Sequence, residues 1–214
     1  MRCRDDSYLD SFPHLDLTGC RALQVDGHQA DAAIGYAKLC RSAGILTSPD
    51  GGGLRSNAHE LLASIDVAIV ATRLCEQMRL TPPDMLDYLK GRGCRIGGAT
   101  MGERGLIWYD ETGTVRSRAA LAAIIDTSGA GDVFHGAYLH SYLADPTGTW
   151  ESHFRFARAA SAHKIQHLGN EAGLPSREDI DGIRGRLGDP AEAARGDLLD
   201  SLCARADRAA ERFS

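Results

Sequence analysis

No Cys-x-x-Cys pair and no short zinc-ligand spacing occurs in this 214-residue sequence; its six cysteines, Cys3, Cys20, Cys40, Cys75, Cys94 and Cys203, are scattered. Such spacing supports no disulfide framework and reads as reduced thiols in a cytoplasmic protein. No apolar run is long enough to span a bilayer. Residues 1–16 carry Arg2, Arg4, Asp5, Asp6 and Asp10 and lack an apolar core, so they do not read as a secretory signal. Nor does a basic stripe interleave with aromatics. With a net charge of -5 and its Lys and Arg dispersed, the chain is not built as a nucleic-acid surface. The expected partners therefore include neither nucleic acid nor membrane.

What is present suffices for one packed domain: 43% of the residues are hydrophobic and 25% are charged. Apolar bursts at Leu23 to Val25, Gly44 to Leu46, Val67 to Val70 and Arg95 to Ala99 alternate with helical patterns near Ala30 to Ser42, Asn57 to Ala63 and Thr81 to Lys90. That alternation predicts a parallel sheet covered on both faces by crossover helices, with ligands at the carboxyl ends of the strands. Pro49, Asp50 and Gly51 to Gly53 read as a flexible connector. Leu198, Leu199, Leu202, Ala206 and Ala209 keep helical spacing in an Ala-, Arg- and Asp-rich tail.

The stretch Asp126-Thr127-Ser128-Gly129-Ala130-Gly131-Asp132 carries the chemistry. Leu121, Ile124 and Ile125 read as an incoming strand, and Val133, Phe134, Ala137, Tyr138, Leu139 and Tyr142 as the helix that follows. Two glycines let the backbone turn sharply and approach a ligand, and first-turn N–H groups face an anion. Asp132 then stands beside an anion hole as a candidate base. The residues alone leave a plainer alternative open, in which the turn is structural and Asp132 caps the helix or meets its dipole.

With Phe134, Gly136 and Ala137, this string resembles the second signature of the ribokinase-like (PfkB) sugar kinases, Asp-Thr-Thr-Gly-Ala-Gly-Asp-x-Phe-x-Gly-Ala, and departs from it only at Ser128. Thr100-Met101-Gly102-Glu103-Arg104-Gly105 resembles the family's Thr-x-Gly-x-x-Gly segment. Phe156 to Lys164, followed by Ile165, looks like its small-residue helix beside adenine. Asp26-Gly27-His28 is similar to the turn of ketohexokinase-like and sulfofructose-kinase-like members, with histidine where arginine is frequent. The resemblance spans Leu17 to Ile180 and implies a lead-in over 1–16, a kinase domain over 17–185 and a helical or disordered tail over 186–214.

It implies a three-layer α/β/α fold with a mainly parallel sheet, without the N-terminal part and β lid in which relatives place their sugar-binding residues. It implies an ATP-dependent carbohydrate kinase that uses Mg²⁺. Asp132 would be the catalytic base and Gly129, Ala130 and Gly131 the anion hole. Thr100, Gly102, Gly105, Ala159, Ala162 and Ile165 would bind nucleotide, and Asp26, Gly27 and His28 would lie near substrate or phosphate. Asp126 and Ser128 would hold a monovalent cation, K⁺. Ligands for a divalent metal are unassigned: no Asn-x-x-Glu is visible, although Glu76 follows the right strand. His163 and His167 are spaced to share one ion, without an evident third ligand. A sugar is the expected partner and a homodimer stays open. The alternative function is a catalytically silent nucleotide-binding or interaction protein.

Overall fold

The computed structural model describes residues 14–50, 53, 57–120, 122–185 and 187. Two parallel strands, β1 (Ala22–Val25) and β2 (Leu46–Pro49), are joined by helix α1 (Ala30–Ser42), with Ala22 opposite Leu46 and Val25 opposite Pro49. After α2 (Ala58–Leu62) comes a second sheet of β3 (Val67–Ala71), β4 (Ile96–Thr100), β5 (Leu106–Asp110) and β6 (Gly113–Ser117). Helices α3 (Thr72–Met78) and α4 (Pro82–Gly91) connect β3 to β4, which pair in parallel. β5 and β6 then pair antiparallel, so the sheet is mixed beyond β4. The two sheets adjoin where the Asp66 N–H donates to the Thr47 carbonyl at 3.1 Å.

Alternation along the strands sorts the helices into layers. Val67, Ile69, Leu106 and Trp108 face α5 (Ala130–Ala144), α6 (Trp150–Lys164) and α7 (Arg177–Arg184), where Phe134, Tyr138 and Phe154 fill the core. Ala68, Val70, Ile107 and Tyr109 face the other way, onto Ala33, Ala37, Leu74, Met85 and Leu89 of α1, α3 and α4. Each fully buried large apolar side chain contributes about 1.5–3 kcal/mol. Trp108 and Phe154 also meet edge to face, with ring centroids 5.0 Å apart. Helix starts are encoded locally: Thr81 and Asp84 form a capping box on α4 ahead of Pro82, and Ser176 and Asp179 form another on α7.

The three-layer α/β/α arrangement is thus present, and α1 occupies the predicted range. The incoming strand is not. Ile124 and Ile125 are 63% and 62% exposed and lie in irregular chain; Leu121 falls outside the described residues. The reason is local: the Ile125 and Asp126 N–H groups both donate to the Ile165 carbonyl, at 2.8 and 3.1 Å. The end of α6 satisfies this backbone in place of a neighbouring strand. The helical pattern around Leu198 and Leu202 also lies outside the described residues.

Candidate active site

Gly129 makes the turn into α5. Its φ of 72° is in the left-handed region, and an added Cβ would come 2.6 Å from Asn170 Oδ1. Glycine alone meets both conditions. The Val133 N–H closes the first helical bond on the Gly129 carbonyl at 3.0 Å, while the Ala130 N–H donates to Thr127 at 3.2 Å. Of the three residues expected to form an anion hole, Ala130 is therefore engaged within the turn. Gly131 is exposed, and a Cβ there would meet nothing within 4 Å, so a ligand can approach its backbone.

Asp132 occupies the first turn of α5, where the helix dipole favours negative charge. Partial desolvation nonetheless pushes the carboxyl of this exposed residue above the ordinary range, reinforced by the neighbouring carboxyl of Asp50 and partly offset by His135. Asp50 follows β2, and its N–H donates to the Val25 carbonyl at 2.7 Å. In the sequence the residue reads as part of a connector; only the β1–β2 pairing brings it beside α5.

His135, further along α5, is buried, with 5% of its surface exposed. Its Nε2 lies 2.9 Å from the Ile69 carbonyl, which can only accept, so Nε2 carries the proton. Nδ1 then faces Asp50 Oδ1 at 3.9 Å, beyond hydrogen-bond length. One helical turn on, the hydroxyl of fully buried Tyr138 is hydrogen-bonded to Ser48 of β2. Phe134, His135 and Tyr138 thus seat α5 on the strands whose ends carry the site.

A cleft of about 460 Å³ lies on one side of the glycine turn, lined by Thr100, Gly102, Gly105, Ala130, Gly131, Ala162 and Ile165 among others. Gly105, at φ 87°, allows the β4–β5 connection to pass Ser117, whose carbonyl would be 2.0 Å from an added Cβ. The Ser161 hydroxyl donates to the Ala130 carbonyl at 3.1 Å and fixes α6 to the turn. Exposed Ile124 supplies an apolar wall, and Arg158 a cation. Ala159, grouped with these residues from the sequence, is fully buried in the core and does not line the cleft. A helix period places Ala162 and Ala159 three residues apart on neighbouring but different lines, and only Ala162 reaches the opening.

Asp26 and Asp50 border a second depression of about 460 Å³ together with Gln24, Gln29 and Tyr36. Gly27 lines the adjoining hollow, and its carbonyl accepts from Asn57 Nδ2 at 3.3 Å. His28 turns toward Asp26: its N–H donates to Oδ1 at 3.0 Å and its Nε2 stands 3.8 Å from Oδ2. Glu76 is an exposed residue of α3. His163 and His167 stack with centroids 4.3 Å apart, but among the described residues no group of three or more His, Cys, Asp or Glu side chains forms a metal cluster. No helix among those residues is long and apolar enough to cross a membrane.

Asp126 and Ser128 open the turn. The Ser128 N–H donates to Asp126 Oδ1 and the Gly169 N–H to Oδ2, each at 2.9 Å. These bonds, with a smaller contribution from the Lys164 ammonium, hold the carboxyl down at about 2.

Residues 5–177 match the family described as pfkB family carbohydrate kinase. The chain is 27% identical over 153 residues to a ribokinase of Lactococcus lactis subsp. lactis (strain IL1403), covering 72% of this chain and 49% of that protein. In three dimensions it is similar to an Arabidopsis thaliana ribokinase complexed with ribose and ATP, with TM-score 0.65 and 24% identity over 76% of this chain and 55% of the other. It is also similar to a putative ribokinase II from E. coli in complex with ATP and Mg²⁺, with TM-score 0.69 and 19% identity over 79% and 60% of the two chains. These likenesses establish a ribokinase-like fold. The chain spans about a third to a half of the length of the curated relatives it matches.

Proposed function

The chain belongs to the pfkB family of carbohydrate kinases, and from that premise we propose that it transfers the γ-phosphoryl group of ATP to a sugar hydroxyl with Asp132 as general base. The observation that carries this reading is the position of Asp132: the glycine turn before it lines one cleft, and the neighbouring Asp50 lines a second depression. A donor and an acceptor entering from the two sides would meet at this carboxyl.

In this reading adenine and ribose lie between the Thr100 to Gly105 connection and the Ala162, Ile165 end of α6. The triphosphate runs to the turn, with Mg²⁺ brought as part of the nucleotide. The acceptor hydroxyl gives its proton to Asp132 while its oxygen attacks the γ-phosphorus in line. The bond from that phosphorus to the bridging β,γ-oxygen breaks and ADP leaves. Backbone N–H groups of Gly129 and Gly131, with the α5 dipole, meet the charge spread over the phosphoryl oxygens; Ala130 joins them by exchanging its bond to Thr127. Asp26, Gly27 and His28 border the acceptor side. The ribose bound by the Arabidopsis neighbour makes a pentose the first acceptor to test.

The experiment is ADP formation by the purified chain with MgATP and a panel of pentoses, ketoses and nucleosides, beside Asp132→Asn. Sugar-dependent turnover that falls at least about 10²-fold in the variant, with ATP affinity kept, is the expected result. Near-normal turnover by Asp132→Asn would remove the base assignment. ATP binding without turnover would favour the silent nucleotide-binding protein.

A further inference from the structure

Lys164, the last residue of α6, has no exposed surface. Its ammonium lies 3.7 Å from Asp126 Oδ2 and donates to the Asp126 main-chain carbonyl at 3.5 Å. The stem is enclosed as well: a Cβ on Gly173 would come 2.4 Å from Lys164 Cδ. A lysine is driven into such a place only where its charge is met, because an unpaired buried ammonium is heavily penalised. Here it is met by a carboxylate that is itself 17% exposed and already receives the N–H groups of Ser128 and Gly169.

This arrangement does not fit a monovalent metal ion at Asp126 and Ser128. Such an ion needs a shell of oxygen acceptors, whereas the carboxylate is turned toward three donors. One of these is an ammonium, and a second cation on the same carboxylate would lie beside it, where like charges repel. We infer that the Lys164 ammonium is the resident cation beneath the glycine turn and that this protein takes up no K⁺ at Asp126 and Ser128. The lysine stabilises the turn from below by pairing with its first residue, and its covalent attachment makes that support independent of the salt present.

The test reads unfolding, not phosphoryl transfer, so its outcome is separate from that of the kinase reading. Thermal midpoints of the full chain are measured in tetramethylammonium chloride while KCl or NaCl replaces it at constant ionic strength. The wild-type midpoint is expected to be the same in all three salts. Lys164→Met keeps the stem without the charge, and its midpoint is expected to fall and then recover by a few degrees, saturably, with K⁺. A saturable, K⁺-specific rise in the wild-type protein overturns the inference. So does a folded Lys164→Met protein that is indifferent to all three salts. Should that variant fail to fold, the wild-type salt series decides alone.

Discussion

The carboxyl of Asp132, in the first turn of α5, stands beside that of Asp50, the residue after β2. Partial burial, reinforced by the neighbouring Asp50, lets Asp132 keep its proton to a higher pH than an ordinary aspartate. As the ionised carboxylate is the proposed base, kcat/KM should fall on acidification sooner than an unperturbed aspartate would dictate. Asp50→Asn removes the opposing charge, and its acid limb should move to lower pH. A pH profile of both proteins checks the direction.

The same pairing has a cost in stability. A carboxyl raised in the folded state contributes most below its unfolded value, and that contribution is lost as pH rises through the folded one. At neutral pH the ionised Asp132 is therefore a burden, and Asp132→Asn should unfold at a higher temperature than the wild type while losing turnover. A thermal midpoint at or below that of the wild type at pH 7, with no difference between the proteins at acidic pH, contradicts this.

Gly129 and Gly131 should respond oppositely to alanine. Gly129→Ala forces a side chain into the left-handed region, at about 1–2 kcal/mol, and pushes on Asn170. Gly131→Ala meets open space and gains up to about 1 kcal/mol of helix propensity. Both should weaken ATP binding, the first by deforming the turn and the second by holding phosphate away from the backbone. Urea unfolding with nucleotide titration separates the two effects.

Ile124 is largely exposed, yet it lines the cleft on the α6 side. Ile124→Asn should change folding stability by no more than about 0.5 kcal/mol. ATP affinity should drop several-fold as an apolar wall is lost. Calorimetric titration of ATP into both proteins tests this, and an unchanged affinity would remove Ile124 from the nucleotide site.

The sequence made the local parts of this protein legible and the long-range parts less so. α1 was readable from its apolar spacing, and the turn from a glycine that no other residue can replace. Asp50 was not, because a carboxylate between a proline and three glycines looks like loop chemistry until β1 and β2 pair. His135 shares a helix with Phe134 and Tyr138, and helical period alone does not tell that the Ile69 carbonyl awaits its ring. Ile124 and Ile125 look like strand because they are β-branched and adjacent. What overrides that preference is the Ile165 carbonyl, forty residues away from Ile125, which accepts both Ile125 and Asp126 N–H groups.

Asp126 gathers its donors from Ser128 nearby and from Lys164 and Gly169, 38 and 43 positions downstream. During synthesis the glycine turn leaves the ribosome well before the residues that brace it. The turn therefore matures late, and a nascent chain that ends before Gly169 carries the glycine-rich sequence without the contacts that shape it.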